Sequence, residues 1–285
     1  MSKIQDTSFT DITYKIEGGV GRVTIDRPKV LNAFTPETLK ELITVFTDAK
    51  DNSDVGVLVL TGAGDRAFCV GGDMNWEASD EFEEGAGPVL ARRLYGAFRD
   101  CLKPIICRVS GFAIGGGHHL AYHCDFTIAA DHSVFGQNGP RVASPAEGSL
   151  VAYLAEIVGV KRAKEIWMLC RRYTAQQACD WGLVNAVVPK EQLDEEVAKW
   201  CSELLSLSPT VLKLLKKSFD DAFLPVRQIE DRYPHPDALP REPRQAVRQA
   251  PYLDLINPGF FQSGEQKEGA NAFLEKRKPD FSKWR

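Results

Sequence analysis

The 285-residue sequence has no long apolar run: no stretch approaches the roughly 18 consecutive apolar residues of a membrane span. Its first residues, MSKIQDTSFTDITY, carry no apolar core of a secretory signal, so a cytoplasmic protein with no membrane partner is expected. Charge of one sign is also lacking. The formal net charge is −4, which gives no broad attraction to nucleic acid or anionic lipid. The seven cysteines include no CxxC pair, and their odd number argues against a disulfide framework. They read as reduced, mostly buried thiols. No HExxH run is present. His119 and His123 stand four apart on an expected helix, but no third ligand accompanies them, so no metal site is expected.

What is present is ordinary globular composition, 44% hydrophobic and 26% charged, long enough to bury a sizeable core. Residues 20–26, VGRVTID, alternate as a half-buried strand does. Thr35-Pro36 marks a helix start: a hydroxyl cap, then proline in the first turn. Val55–Leu60 is nearly all apolar and predicts a strand covered on both faces. The acidic, glycine-containing stretch 75–88 reads as a mobile surface loop, and Leu90–Cys101 as an amphipathic helix. Strands are predicted at Ile105–Val109 and Phe126–Ala130, with a helix from Gly115–Gly117 to about Cys124 between them. Ser144-Pro145-Ala146-Glu147 has the form of a capping box opening another helix. Further helices are expected at 163–171, 175–181 and 191–205. The order indicates an α/β layer followed by a helical third. Residues 225–258 hold seven prolines and form a long insertion, a linker or a surface-wrapping arm.

Two glycine-rich segments carry chemistry. In Phe68-Cys69-Val70-Gly71-Gly72-Asp73, glycines let backbone N–H groups approach a ligand closely. In Gly111-Phe-Ala-Ile-Gly115-Gly116-Gly117, a strand runs through glycines into a helix whose N-terminal N–H groups favour developing negative charge. Together with RPKVLNAF, CDFTIAADHSVFGQ and WGLVNAVVP, these segments resemble the crotonase (enoyl-CoA hydratase/isomerase) superfamily over roughly residues 10–222. The terminal GANAFLEKRKPDFSKW and the run IVGVKRAKEIWMLCRRYTAQQACDWGLVN are similar to the dihydroxynaphthoyl-CoA synthase branch, whose neighbours include hydrolases that open alicyclic β-oxoacyl-CoA rings.

The resemblance implies an α/β fold, a crotonase ββα spiral core over residues 1–205, with a helical C-terminal trimerisation region over 206–285. It implies a homo-oligomer, a trimer or dimer of trimers, acting on an acyl-CoA substrate. Coenzyme A would enter as part of the substrate, with no tightly bound cofactor. Gly72 and Gly116 match the positions whose N–H groups hold the thioester oxygen. Val30, Leu31, Ala33, Val70, Gly71 and Asp73 match positions along the CoA path, and Phe273 and Lys276 match C-terminal residues that reach CoA.

The sequence also departs from the family pattern. The two hydratase glutamate positions hold His119 and Gly139. The synthase branch expects an Asp two residues after Ser144, where Ala146 stands, and a C-terminal tyrosine, where Phe261 stands. Gly139 is the residue found where bicarbonate replaces a carboxylate. The acid or base candidates are therefore His119, Ser144 and Glu147, with His118 beside them. Glu147 is equally explained as a helix-capping residue. Lys161-Arg162 and Arg171-Arg172 are candidate contacts for CoA phosphates or simply solvated faces. The reading that follows is ring-opening hydrolysis of a cyclic β-oxoacyl-CoA. Hydration of a cyclic (di)enoyl-CoA, naphthoyl-type ring closure with bicarbonate, and a catalytically silent CoA-thioester-binding protein are the alternatives.

Overall fold

The computed structural model describes residues 9–83, 86–146, 148–207, 209–222 and 262–277. The proline-rich 225–258 segment, Glu147 and Phe261 lie outside the described residues.

The chain opens with a hairpin, β1 (Ile12–Glu17) antiparallel to β2 (Val20–Ile25). Helix α1 (Pro36–Asp51) follows, and its start is as the sequence predicts. The Thr35 side chain accepts from the Thr38 N–H while Thr38 reaches back to the Thr35 N–H. Asp11 fixes both hydroxyls, accepting from Thr35 Oγ1 at 2.6 Å.

Three passes with a shared logic come next: a strand in a large sheet, a short strand in a small one, then helix. The first is β3 (Val57–Gly62), β4 (Ala67–Cys69), then α2 (Met74–Glu77), α3 (Asp80–Glu83) and α4 (Ala86–Asp100). The second is β5 (Ile105–Val109), β6 (Phe112–Ile114) and α5 (Gly116–His123). The third is β7 (Phe126–Ala130), β8 (Val134–Gly136), α6 (Gly139–Val142) and α7 (Ser149–Val158). Helix α8 (Val160–Leu169), β9 (Arg172–Thr174), α9 (Ala175–Asp180), β10 (Ala186–Val188), α10 (Leu193–Leu205), α11 (Pro209–Ala222) and α12 (Glu265–Leu274) complete the described chain.

The six-stranded sheet has the order β1-β2-β3-β5-β7-β10 and is parallel from β2 onward; the four-stranded sheet is β4-β6-β8-β9. This is the expected ββα spiral. All six residues of β3 are buried, and they divide by strand alternation. Leu58 and Leu60 face a core shared with α1 and α4, where Phe46 and Phe98 pack at 4.2 Å. Val57 and Val59 face the other way, onto Leu193, Val197 and Cys201 of α10.

Two expectations are corrected. Where described, the 75–88 stretch is not a surface loop: it folds as α2, α3 and the start of α4, with Trp76, Glu77 and Phe82 buried. Trp76 meets Phe82 edge-on at 5.0 Å, so two aromatic side chains inside the acidic run drive its burial. Nor does Ser144 open a helix. Residues 144–146 are irregular and α7 starts only at Ser149, after Gly148 at φ 58°.

Candidate active site

The two glycine turns meet in space. Phe34 bridges to the first of them: its N–H donates to Gly71 O and its carbonyl accepts from Asp73 N–H, both at 2.9 Å. The Gly72 N–H between these bonds takes no part in that ladder. Gly71 has φ 99°, which turns the chain toward Gly116, and a side chain there would stand 3.1 Å from Gly116 N. Gly116 begins α5, where an N–H has no carbonyl of its own helix to bind. A side chain on Gly116 would collide with the Phe34 ring at 2.5 Å. Among the described residues neither the Gly72 nor the Gly116 N–H donates to a loop or turn carbonyl, and the two stand on adjoining turns.

A cavity of about 60 Å³ adjoins these turns. Gly72, Gly116, His119, Gly139, Ser144 and Trp167 are among the residues lining it. Val70 and Gly71, which the resemblance assigns to the CoA path, border it too. Val30 is exposed, and Leu31 and Asn32 both adopt left-handed backbone, φ 56° and 57°. The buried Asn32 holds this loop in place, its amide donating to Ala63 O and Ala67 O and its oxygen accepting from the Arg27 N–H. Ala33 is buried beside it.

Asp73 is engaged within the protein: its carboxylate caps α2 by accepting from Asn75 N–H at 3.0 Å and pairs with Arg27 at 3.3 Å. Phe273 and Lys276 sit exposed at the end of α12, outside the cavity lining.

Sequence reasoning missed the group most suited to proton transfer. Glu77, the last residue of α2, is 6% exposed and lines the cavity. Its carboxylate lies on Gly72, where a side chain would stand 2.2 Å from Glu77 Oε1. Burial raises its pKa to about 7; the nearby Ser144 hydroxyl offsets this in part, and the Asp73 charge raises it further. Its Oε2 has no protein partner among the described residues. Nothing in a single glutamate inside an acidic run signals this. Only the tryptophan one position earlier hints that the segment is buried.

His119 is held differently. Its Nε2 meets Gln137 Oε1 at 3.0 Å and its ring packs on Trp167 at 5.1 Å. Burial lowers its pKa to about 4, so it is neutral at pH 7. Gln137 Nε2 binds His118 Nδ1 at 3.2 Å, and burial lowers that pKa to about 3. His123 instead contacts the His119 carbonyl through Nδ1 at 2.8 Å and stacks near Tyr95, so the two helically spaced rings point to separate partners.

Ser144 is presented by a tight turn: its N–H donates to Gly139 O at 3.1 Å, and a side chain on Gly139 would strike Ser144 O. Packing alone therefore accounts for glycine at position 139. Arg162 covers the Trp181 ring at 4.3 Å and pairs with Glu165 at 2.8 Å, and Arg171 pairs with the same carboxylate, remote from the cavity.

The family model for enoyl-CoA hydratase/isomerase matches residues 15–284. Solved structures agree with the fold. An enoyl-CoA hydratase from Mycobacterium avium subsp. paratuberculosis K-10 is similar at TM-score 0.78 and 27% identity, covering 96% of this chain and 100% of that one. An enoyl-CoA hydratase/carnithine racemase from Magnetospirillum magneticum is similar at TM-score 0.70 and 27% identity, covering 96% of each chain. An enoyl-CoA hydratase from Bacillus anthracis is similar at TM-score 0.70 and 26% identity, covering 95% and 99%. A spiral fold, paired glycine turns with unengaged N–H groups and a family match over nearly the whole chain lead to one conclusion: the protein belongs to the enoyl-CoA hydratase/isomerase family of the crotonase superfamily and is an enzyme of acyl-CoA chemistry.

Proposed function

We propose that this enzyme hydrolyses a cyclic β-oxoacyl-CoA to a ring-opened product, with Glu77 as its acid and base. The observation that carries the reading is the placement of the buried Glu77 carboxyl against Gly72, in a cavity that Ser144 also lines. A carboxyl titrating near neutrality is present in both forms at pH 7, so one residue can take a proton and later return it.

The chemistry balances on these groups. Water adds to the ring ketone while Glu77 accepts its proton. The carbon–carbon bond to the α-carbon then breaks, and its electron pair becomes the thioester enolate. The N–H groups of Gly72 and Gly116 hold the enolate oxygen. Glu77 returns its proton to the α-carbon, leaving an acyclic carboxylate that still carries the CoA thioester. Ser144 orients the carboxyl. Neutral His119, fixed by Gln137 and Trp167, shapes the wall and, with its pKa near 4, carries no imidazolium proton at pH 7 to give to the enolate carbon.

The enoyl-CoA hydratases among the similar structures favour a second reading, hydration of a cyclic enoyl-CoA on the same groups. Mass spectrometry in H₂¹⁸O with 2-oxocyclohexanecarboxyl-CoA and a cyclic dienoyl-CoA separates them. A dicarboxylic product with ¹⁸O in its new carboxylate is expected. An alcohol with its ring intact, formed only from the dienoyl probe, would replace the first reading with the second. Added bicarbonate is expected to leave turnover unchanged.

A further inference from the structure

We infer that helix α12 is a cross-tie that sets the position of the Glu77 carboxyl, with Gln266 as its positioning residue. This rests on the acid–base reading of Glu77.

Helix α2 is a single turn of four residues, too short to hold its own shape. Its N-terminus is secured by the Asp73 cap and, behind it, Arg27. Its C-terminus leaves carbonyls without helical partners. Gln266, 189 residues further along the chain and fully buried, donates its Nε2 to the Glu77 carbonyl. The residue whose side chain must be aimed is thus fixed through its own backbone.

The same face of α12, one turn further along, rests on the segment that leads to Ser144. Gly269 lies against the last residue of α6, and a side chain there would overlap Val142 O and Ala143 N. Ser144 follows two residues later. Ala270 and Ala272 are fully buried in the same contact, and Lys267 pairs with Asp80 just past α2 at 3.4 Å. One helix therefore spans from the Glu77 segment to the Ser144 segment and fixes their separation. Misplacement of a reacting group by about 1 Å can cost on the order of 10²-fold in rate.

The test is Gln266→Met, which keeps the length and removes the donor, beside Gly269→Ala, which pushes the next turn of α12 away from Val142. Glutamate labelled with ¹³C at the carboxyl carbon is titrated by NMR, and the Glu77 signal is identified by its loss in Glu77→Gln. In the unaltered protein one glutamate is expected to titrate near neutrality. Both variants are expected to move that midpoint down toward the ordinary carboxylate range while the protein stays folded by circular dichroism. Turnover of the probe that the unaltered enzyme uses is expected to fall about 10- to 100-fold, chiefly in kcat. A folded Gln266→Met protein with an unmoved Glu77 midpoint would overturn the cross-tie. So would a loss of turnover that merely follows a loss of folded protein. If no glutamate titrates near neutrality in the unaltered protein, the reading of Glu77 itself fails.

Discussion

At the scale of single residues, Glu77 sets activity and stability against each other. Its folded pKa, about 7, lies above its ordinary 4.5, so the folded state binds the proton more tightly. Its contribution to stability is complete below pH 4.5 and is lost as pH rises through 7. Glu77→Gln, which keeps the shape without the charge, is expected to melt higher than the parent at pH 8, by up to about 3 kcal/mol in denaturant titrations. The same variant is expected to lose at least 10²-fold in turnover. If ionised Glu77 starts the reaction as base, kcat/KM of the parent rises through pH 7. His118 and His119 have the opposite sign. Their folded values, about 3 and 4, lie below the ordinary 6.5, so the stability they confer is present above 6.5 and falls as pH drops toward those values. His119→Gln should flatten the acid-induced loss of stability between pH 6.5 and 4, followed by chemical denaturation at several pH values. The paired glycines were legible as close-packed turns because a side chain at either would collide with its surroundings. Glu77 was not, because, of the groups that bury and position it, only Trp76 adjoins it in sequence, while Ser144 and Gln266 lie far along the chain.

At the scale of elements, the long pieces could be read and the short ones could not. Helix α1 announces itself through Thr35 and Pro36, and β3 through its unbroken apolar run. The strands of the small sheet span three residues each, too few to show a period, and three of them sit beside glycines that suggest loop. The false helix start at Ser144 has a similar cause: Ser-Pro-Ala-Glu has the form of a cap, but the 139–144 turn claims the Ser144 N–H. Arg27 joins several such elements. It donates to Ala33 O and pairs with Asp11 and Asp73, all on segments that frame the oxyanion turn. Arg27→Met leaves two partly buried carboxylates without their cation and is expected to cost about 3 kcal/mol of stability, measurable in urea.

For the whole molecule, the exposed surface of α8 and α11 carries more apolar side chain than a monomer usually shows. Val160 and Met168 are 59% and 66% exposed, and Leu214 and Phe219 are 61% and 69% exposed. The chain is therefore expected to self-associate, as its family resemblance implies. Sedimentation velocity should show a species larger than 31.6 kDa, and a Leu214→Glu, Phe219→Glu double variant should shift it toward smaller species. None of the helices among the described residues is long and apolar enough to cross a membrane.

The cysteines lead to a different use of the molecule. All seven are free, and six are buried, with Cys179 alone partly open. Because those six thiols are distributed over β4, β5, α4, α5, α8 and α10 and their boundaries, no local fraying uncovers them together. A thiol-reactive dye should label one site per chain in the native enzyme and seven after the core opens. The protein thus carries its own chemical counter of global unfolding, readable by intact mass after labelling.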